Sequence, residues 1–338
     1  MYWKIDLLRR KKIMQNKLSL FVNNTQTIKK GFAWHNALTK RLAALLYARE
    51  NKTIDYESIK NCHTLIKQNT GVFSMFRGNM ALCVAALLSL SPDPRNLFDE
   101  TLKVYDLLKS AKFFASDYLV ISAYEIAAQT KPADYQNAVN RMRAFYDGMK
   151  AQHFFLTGQD DYIFAAMLGL SDLDAAAGIK RIAQLQERLK GEFWNKNSVQ
   201  SLSQVLVLGG SDDKTVDRVL ALRDALKDQN IRLDRTYTLP SLGVLALLPV
   251  EIGVIVRDIN EAQRSLRAQK GFGIWSVTKQ ELLLLAAAVL AGNYAESTKD
   301  GVLTAVLSTS ITNIIIAQQV AMLAAISASS AAASSSSH

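Results

Sequence analysis

The chain alternates between two kinds of apolar segment. One kind is apolar almost throughout, as in ALCVAALLSLS at 81–91 and IFAAMLGLS at 163–171. The other carries apolar residues three and four positions apart, as in Val216, Val219 and Leu222. A continuous apolar run predicts a helix buried on all sides, and the spaced pattern predicts a helix with one buried face. The alternation therefore predicts helical hairpins, each made of one fully buried helix and one helix with a single buried face.

The hairpins recur at a nearly constant spacing of about 39 to 43 residues, which is close to the period of HEAT-like helical pairs. The turns that mark them are Asn51, Ser91, Thr130, Ser171, Gly210, Pro249 and, more loosely, Gly292. The spacing predicts an all-α fold of about six helical hairpins of roughly 40 residues each, plus a C-terminal apolar helix. Such hairpins stack into an α-α superhelix or close into a toroid.

Three segments follow from this pattern. The repeat-like pattern begins near Lys17, so residues 1–16 are predicted to be a basic N-terminal extension. Residues 17–326 are predicted to form a single helical-repeat domain, because each repeat buries its surface only against its neighbours. Residues 327–338 are rich in Ala and Ser and are predicted to be a disordered tail.

The last apolar segment differs from the others because no charged residue occurs from Gly301 to Ser337. Its length would allow it to cross a bilayer. Asn313, Gln318 and Gln319 lie in its middle, however, and it lacks flanking aromatic and basic residues. We therefore favour a buried helix that packs on the repeats over membrane association.

The positive charge is concentrated at the start of the chain. The net charge of +10 arises within residues 1–67, and the remaining chain is neutral. A basic end could contact anionic lipid, an acidic partner or nucleic acid, of which nucleic acid is the least favoured. The simpler interpretation is a solvated surface that keeps the first repeat soluble. The candidate partner surface consists of Arg9, Arg10, Lys11, Lys12, Lys29 and Lys30.

The predicted location is cytoplasmic. The charged start MYWKIDLLRRKKIM lacks the apolar run of a secretion signal. Only two cysteines occur, Cys62 and Cys83, which is too few for a disulfide framework.

Several blocks together resemble an uncharacterised bacterial family, domain-of-unknown-function family 4003. The blocks are TGVFSMFRGN at 70–79, LLKSAKFFASDYLVISAY at 107–124, FFLTGQDDYIFAAMLGLSD at 154–172, NSVQSLSQVLVLG at 197–209 and the Ala/Ser-rich end. The resemblance covers nearly all of the chain from about Lys17 and implies an intracellular protein, mainly of Gram-positive bacteria, with no established activity. It contributes no catalytic residues.

Acidic residues at the starts of apolar helices are the candidate catalytic groups. Asp160 and Asp161 are adjacent at the start of one apolar helix. Asp117 and Glu125 belong to an equivalent apolar helix, and either of them could act together with this pair. In a closed ring of hairpins such groups would meet in a funnel, where paired carboxylates could act as general acid and base. The simpler interpretation is that they cap their helices.

The sequence gives no sign of a cofactor or metal site. The histidines are scattered, and phosphate-binding, dinucleotide-binding and nucleophile-elbow motifs are absent.

Aromatic residues recur where a spaced-pattern helix meets the next apolar helix, and packing between hairpins is the predicted role for them rather than base stacking or sugar binding. They are Phe73, Phe76, Phe113, Phe114, Phe154, Phe155, Phe193, Trp194, Phe272 and Trp275.

Three functions are compatible with this sequence. The leading hypothesis is a cytosolic scaffold that binds a protein or peptide partner along one face, and it depends on fold class alone. The first alternative is a toroid-type enzyme, a hydrolase or lyase, with carboxylates in a central funnel. The second alternative is a peripheral membrane protein that uses its basic start and apolar end.

Overall fold

The computed structural model describes residues 2–33, 35–210, 212–297, 312 and 314–323; for residues 2–10, 296 and 297 it describes the backbone alone. These described residues form α-helices and short 3-10 helices, and no β-strand occurs among them. The predicted all-α class is confirmed.

The chain begins with the long helix α1 (Tyr2–Gly31), after which two kinds of helix alternate. Helices of the first kind are mainly apolar, and we call them the buried helices. They are α2 (Ala37–Arg49), α4 (Ala81–Ser89), α6 (Asp117–Gln129), α8 (Tyr162–Leu170), α10 (Lys196–Leu208), α12 (Leu239–Leu247) and α14 (Lys279–Ser297). Helices of the second kind are amphipathic, and we call them the surface helices. They are α3 (Tyr56–Gln68), α5 (Pro94–Ser110), α7 (Tyr135–Gln152), α9 (Ala175–Leu189), α11 (Asp213–Asp228) and α13 (Ile252–Arg267).

The two sequence patterns correspond to two patterns of burial. Every residue of α4 from Ala81 to Leu88 is buried, so this helix has no polar face. On α13 the buried residues are Ile255, Ile259, Ala262 and Leu266, which form one stripe. A stripe at this spacing lets a helix cover a core while its other faces remain in water. One buried helix and one surface helix alternate from α2 to α13, as the sequence pattern predicted.

Two kinds of connection join the helices. We call the link from a buried helix to the next surface helix a turn, and the link from a surface helix to the next buried helix a corner. The turns start the surface helices with side-chain caps: Asp93 accepts a hydrogen bond from the Asn96 N–H at 3.0 Å, and Asp212 accepts one from the Thr215 N–H at 2.9 Å. Such caps satisfy amide groups that have no partner within the helix.

The described residues group into two compact units. Unit 1 comprises residues 1–30, 44–54 and 176–315, and unit 2 comprises residues 31–43, 55–175 and 316–338. In unit 2, α5 packs against α6, α7 against α8, and α6 against α8. In unit 1, α10 packs against α12, and α13 against α14. The most extensive packing in unit 2 joins helices across corners, so a corner and its two helices form one structural element.

Gly169 allows the closest of these contacts. A Cβ atom at this position would lie 2.7 Å from the Met142 backbone nitrogen of α7. A side chain there would force α7 and α8 apart, so the glycine brings the two backbones together.

Two arginines of surface helices close the ends of buried helices in the same way. Arg141 of α7 donates hydrogen bonds to three carbonyls at the end of α8, and Arg218 of α11 does the same at the end of α12. In both cases the acceptors lie 28, 30 and 32 residues after the arginine. The acceptors of Arg141 are the carbonyls of Gly169, Ser171 and Leu173, at 2.8, 2.7 and 2.7 Å. Carbonyls at a helix end have no hydrogen-bond donor within the helix, so the guanidinium supplies the missing donors.

Two features differ from the sequence-based expectations. Residues 2–16, predicted to be an extension, are the first half of α1, and Met14 in this half is buried. Gly292, taken as the last turn, lies inside α14, where a Cβ atom would be 3.0 Å from the Arg49 guanidinium. Close packing against Arg49 therefore explains why this position is a glycine, and the prediction of a turn here is wrong. The domain boundaries at residues 16 and 326 stay predictions.

The C-terminal apolar segment is described only in part. Residues 314–323 are helical, and Ile314, Ile316 and Val320 are buried. The rest of the charge-free segment and the predicted tail at 327–338 lie outside the described residues. Within the ranges given above, no helix has both the length and the apolar character needed to span a membrane.

The arginine clamp predicts a difference between two arginines. Arg95 of α5 forms an ion pair with the exposed carboxylate of Asp99 at 3.3 Å. Replacing Arg141 with Met should lower the free energy of unfolding by about 2–4 kcal/mol, because several carbonyls at the α8 end lose a charged donor. Arg95→Met should cost about 1 kcal/mol or less, since exposed ion pairs contribute little. Urea unfolding of both variants measures the difference; similar losses would contradict the clamp.

Candidate interaction surface

Four of the six corners contain a buried aromatic residue, Phe76, Phe113, Phe193 or Phe272, that anchors the corner to the core. In the α3–α4 corner, Phe76 is buried and packs edge-on against Phe98 and Tyr105, with ring centroids 5.6 and 5.1 Å away. In the α5–α6 corner, Phe113 packs against Tyr146 and Tyr162 at 5.5 and 4.9 Å. Edge-to-face pairs at these distances stabilise the contact beyond the burial of apolar area. The corners are therefore fixed to the body of each unit.

Arginines strengthen two of these anchors. Arg143 of α7 lies over the Phe113 ring at 5.0 Å and donates to the Ala111 carbonyl at 3.2 Å. Arg223 of α11 lies over the Phe193 ring at 5.4 Å and donates to the Glu192 carbonyl at 3.3 Å. Each arginine thus holds the end of the preceding surface helix and the aromatic residue that follows it.

Next to the anchors, other aromatic side chains point into solvent. Phe73 is 98% exposed, Phe155 97%, Trp194 100% and Trp275 96%. We use the name corner surface for the exposed large apolar residues of the corners. They are Val72, Phe73, Met75, Phe114, Phe154, Phe155, Trp194, Ile274 and Trp275.

The predicted packing role is therefore confirmed for only part of the aromatic set. Phe76, Phe113, Phe193 and Phe272 are buried. For the other six aromatic residues the prediction is wrong, because they lie on the corner surface. Neighbouring residues in a tight connection point in different directions, so a pair such as Phe113 and Phe114 cannot place both rings in one core. The doublets Phe113–Phe114 and Phe193–Trp194 were therefore a signal that one ring of each pair is exposed.

Hydrogen bonds place successive corners next to each other within each unit. In unit 2, the Asn79 amide donates to Asp117 at 3.5 Å, and the Phe114 N–H donates to the Tyr162 hydroxyl at 3.3 Å. These bonds connect the starts of α4, α6 and α8. In unit 1, two bonds connect the corners in the same way: Ser198 Oγ donates to the Thr236 carbonyl at 2.8 Å, and Lys279 Nζ donates to the Asn230 carbonyl at 3.0 Å.

Charge differs between the two ends of the surface helices of unit 2. The segments 67–79, 109–116 and 150–160, which include the last turns of α3, α5 and α7, contain five Lys or Arg residues and one acidic residue, Asp160, and Asp117 and Asp161 follow directly. The turn segments 90–96, 130–136 and 171–175 contain four Asp residues and two basic residues. One of the basic residues, Lys150, lies over the Phe154 ring at 5.4 Å.

The candidate catalytic carboxylates have separate local environments. Asp161 is 1% exposed, and its Oδ2 accepts a hydrogen bond from the Gly158 N–H at 3.0 Å. This bond caps the 3-10 helix Gln159–Asp161 that leads into α8. Asp160, its neighbour, is half-buried. The geometry directly supports capping by Asp161, while a catalytic role for either residue stays a prediction.

Asp117 and Glu125 lie two turns apart on α6. Burial raises the pKa of Asp117 above its ordinary value, and hydrogen bonds from the Asn79 amide and the Met80 N–H only partly oppose this. Asp117 Oδ1 is buried with no hydrogen-bond partner among the described residues. Glu125 is buried and accepts a hydrogen bond from the Gln129 amide at 2.6 Å. Burial chiefly, and the charges of these two carboxylates to a lesser extent, raise the pKa of Cys83 on α4.

The basic residues near the chain start are only partly available as a partner surface. Lys11 forms an ion pair with Glu261 of α13 at 3.0 Å. Lys12, Lys29 and Lys30 are exposed on α1. The side chains of Arg9 and Arg10 lie outside the described residues.

Two histidines form a contact in unit 2. The rings of His35 and His63 pack edge-on with centroids 5.1 Å apart. Burial, followed by the positive charge of Lys67, lowers the pKa of His63 to about 4 and also lowers the pKa of His35. Beside them, burial raises the pKa of the Cys62 thiol to about 11, so a reactive thiolate does not form at neutral pH. In the part of the chain that is described, no three His, Cys, Asp or Glu residues lie close enough to hold a metal ion.

Removal of the Asp161 carboxylate tests capping against catalysis. Asp161→Ala should lower the free energy of unfolding by about 1–2 kcal/mol, because the Gly158 N–H loses its buried acceptor. Asp160→Ala should change it by about 0.5 kcal/mol or less, as expected for a surface substitution. Chemical denaturation of both variants gives the comparison. An Asp161→Ala protein as stable as the wild type would contradict the capping role and renew interest in catalysis.

The histidine pair predicts a loss of stability in acid. The pKa of His63 is lower in the folded protein than in the unfolded chain, so the unfolded chain binds more protons as the pH falls. The free energy of unfolding should therefore decrease from about pH 6.5, the ordinary histidine pKa, down to about pH 4. His63→Gln should show a smaller decrease over this range, measured by urea unfolding at several pH values. Identical pH profiles of the two proteins would contradict the prediction.

Comparison with known proteins agrees with the resemblance inferred from the sequence blocks. The model of a family described as "Protein of unknown function (DUF4003)" matches residues 24–320. An uncharacterised protein, YeaA of Bacillus subtilis strain 168, is 22% identical over 286 residues, which cover 83% of this chain and 84% of the relative. No solved structure matches the chain. The predicted family is confirmed.

Proposed function

This chain belongs to the DUF4003 family, whose description names no activity, and we propose from its surface that it is a helical-repeat scaffold that binds a protein or peptide partner. Each unit carries part of the corner surface, and each part is a proposed binding surface. The observation that carries the proposal is the nearly complete exposure of Phe73, Phe155, Trp194 and Trp275. Large aromatic side chains dominate the energetics of protein interfaces, and clustered exposed apolar groups mark interaction sites.

The corners favour binding because they are held in place before a partner arrives. Phe113 and Phe193 anchor their corners in the core, and Arg143 and Arg223 hold the adjoining helix ends. A side chain presented by a fixed backbone loses less conformational entropy on binding than one on a loose loop. Folding alone does not account for these rings, since a fully exposed ring contributes little packing energy.

The stacking of the hairpins and the location of the protein are part of the same proposal. The period of roughly 40 residues supports an α-α superhelix or toroid, and an open superhelix would present a long edge to a partner. The composition supports action in the cytoplasm.

A toroid-type enzyme is the second candidate, and Asp117 is the observation that favours it. Its raised pKa and its buried Oδ1 are properties of general acids. The hydrogen bonds from Asn79 and Met80 equally fit a structural carboxylate at the start of α4. The scaffold is therefore the stronger proposal.

Substitution of four exposed rings tests the scaffold. A corner variant carries Phe73→Ser, Phe155→Ser, Trp194→Ser and Trp275→Ser. It should unfold at nearly the wild-type denaturant concentration, because these side chains contribute little to packing. It should bind its partner at least about a hundredfold more weakly, since each aromatic contact in an interface contributes at least about 1–2 kcal/mol. Cross-linking capture with quantitative mass spectrometry identifies the partner, and titration with the purified partner gives the affinity.

A turn variant is the matched control, with Lys131→Ser, Asp172→Ser, Lys214→Ser and Glu251→Ser at four exposed turn positions. It should retain the partner at the wild-type level. Equal recovery by the corner variant would show that the partner binds elsewhere. Recovery of no partner by the wild-type protein would count against the scaffold itself.

A further inference from the structure

Two histidines of unit 2 meet although they lie far apart in the sequence. His35 belongs to the connection between α1 and α2, and His63 belongs to α3. Their ring centroids are 5.1 Å apart, with an angle of 78° between the ring planes. We propose that His35 and His63 together bind one divalent transition-metal ion of the zinc and copper class. This site goes beyond the proposed scaffold function and does not depend on it.

The separation of the two rings is the one expected for two ligands of a single metal ion. An imidazole nitrogen binds Zn²⁺ at about 2.0–2.1 Å, which puts the ring centroid about 3.2 Å from the ion. At a tetrahedral angle between two such ligands, the centroids lie about 5.2 Å apart. Rotation of a ring about its metal–nitrogen bond does not change this distance, so a steep angle between the ring planes is allowed. The observed separation of 5.1 Å therefore lets both rings bind one ion.

The nitrogens of both rings are accessible to an ion in solution. Neither imidazole forms a hydrogen bond with a described residue, and both side chains are half-buried with ring nitrogens that reach solvent. His153 differs from them, because its Nε2 is buried without a hydrogen-bond partner. An imidazole nitrogen with no hydrogen bond has a lone pair or a proton site open to another partner. The pair therefore offers two nitrogen ligands that no other contact occupies.

Ring packing alone does not require histidine at these two positions. Phe32 lies beside both rings, with its centroid 5.6 Å from that of His35 and 6.2 Å from that of His63. Any aromatic side chain can pack edge-on against such a ring. A half-buried imidazole without a hydrogen bond in the protein has lost part of its contact with water, a cost that phenylalanine would avoid. A shared metal ion gives both rings a partner and joins the α1–α2 connection to α3.

Nearby charges limit which ions the pair can hold. Burial, followed by the positive charge of Lys67, lowers the pKa of both histidines, and Lys40 adds to this effect at His35. The same positive charge opposes a bound cation, so the affinity has to come from strong bonds between metal and imidazole. Mg²⁺ and Ca²⁺ prefer oxygen ligands and are excluded. Imidazole suits Zn²⁺, Ni²⁺ and Cu²⁺, of which Cu²⁺ binds most tightly.

The two histidines are the protein ligands of this site, and water completes the coordination. No group of three His, Cys, Asp or Glu residues in the described part of the chain is close enough to surround an ion. Cys62, the neighbour of His63 on α3, is 3% exposed, and adjacent positions on a helix point in different directions. A site with two neutral ligands beside positive charge binds with modest affinity, and we expect a Kd below about 100 µM for Zn²⁺.

Zinc titration of the full-length protein without an affinity tag tests the site. Isothermal titration calorimetry with ZnCl₂ should show one ion bound per chain. His35→Gln and His63→Gln should each weaken zinc binding by at least about tenfold, because each removes one of the two protein ligands. CuSO₄ in glycine buffer should bind more tightly than ZnCl₂, and MgCl₂ should not bind. The matched controls His153→Gln and His338→Gln change the other two histidines of the chain and should bind zinc like the wild type.

Chemical labelling of the wild-type protein tests the same site without a substitution that could disturb folding. Diethyl pyrocarbonate modifies accessible histidine nitrogens, and mass spectrometry reports the modified fraction of each histidine. At a free Zn²⁺ concentration of about ten times the Kd, about nine-tenths of the sites are filled. Labelling of His35 and His63 should then fall by about tenfold. Labelling of His338 should not change, since it takes no part in the site.

Several outcomes would overturn the inference. They are the absence of zinc binding with a Kd below about 100 µM, wild-type zinc affinity in both His35→Gln and His63→Gln, and unchanged labelling of both histidines in the presence of zinc. Zinc binding lost in His153→Gln or His338→Gln instead would assign the ion to another part of the chain. The corner variant should bind zinc like the wild type, because none of its substitutions changes either histidine. The metal site and the scaffold function can therefore fail independently.

Discussion

The structure depends on how its short buried helices satisfy their terminal backbone groups. Helices α8 and α12 contain nine residues each. A helix leaves four carbonyls without partners at its end, a large share of the total in a helix of this length. Arg141 and Arg218 supply donors to these groups from the neighbouring surface helices. The two short apolar helices therefore end with a charged donor beside their last carbonyls.

The way the corners are fixed to the core explains why they can expose aromatic residues. One residue of a corner, such as Phe113 or Phe193, fixes it to the core, and an arginine holds the adjoining helix end. The neighbouring ring is then free of any packing role and faces water. Each unit therefore presents exposed aromatic side chains on corners that are fixed to its core. This combination is suited to recognising a partner because its geometry is set before binding.

The carboxylates show how the surroundings decide the chemistry of a residue type. Asp161 is buried as a helix cap, whereas Asp117, at the start of a sibling helix, has a raised pKa and a buried oxygen without a partner. Glu125 is buried beside Gln129. All three carboxylates thus take part in local hydrogen bonds. For this reason the exposed rings, which have no such structural explanation, support a function better than the acids do.

The sequence by itself determined the positions and types of the helices. Helix formation follows a local period of apolar residues and local caps such as Asp93, and both can be read along the chain. Tertiary structure alone decided which of two adjacent aromatic residues is buried, that Gly292 lies inside a helix, and that residues 2–16 belong to α1. It also decided that the Arg141 guanidinium binds the carbonyls at the end of α8. These outcomes depend on contacts between segments about 30 residues or more apart, whose mutual orientation is set by packing and leaves no periodic trace in the sequence.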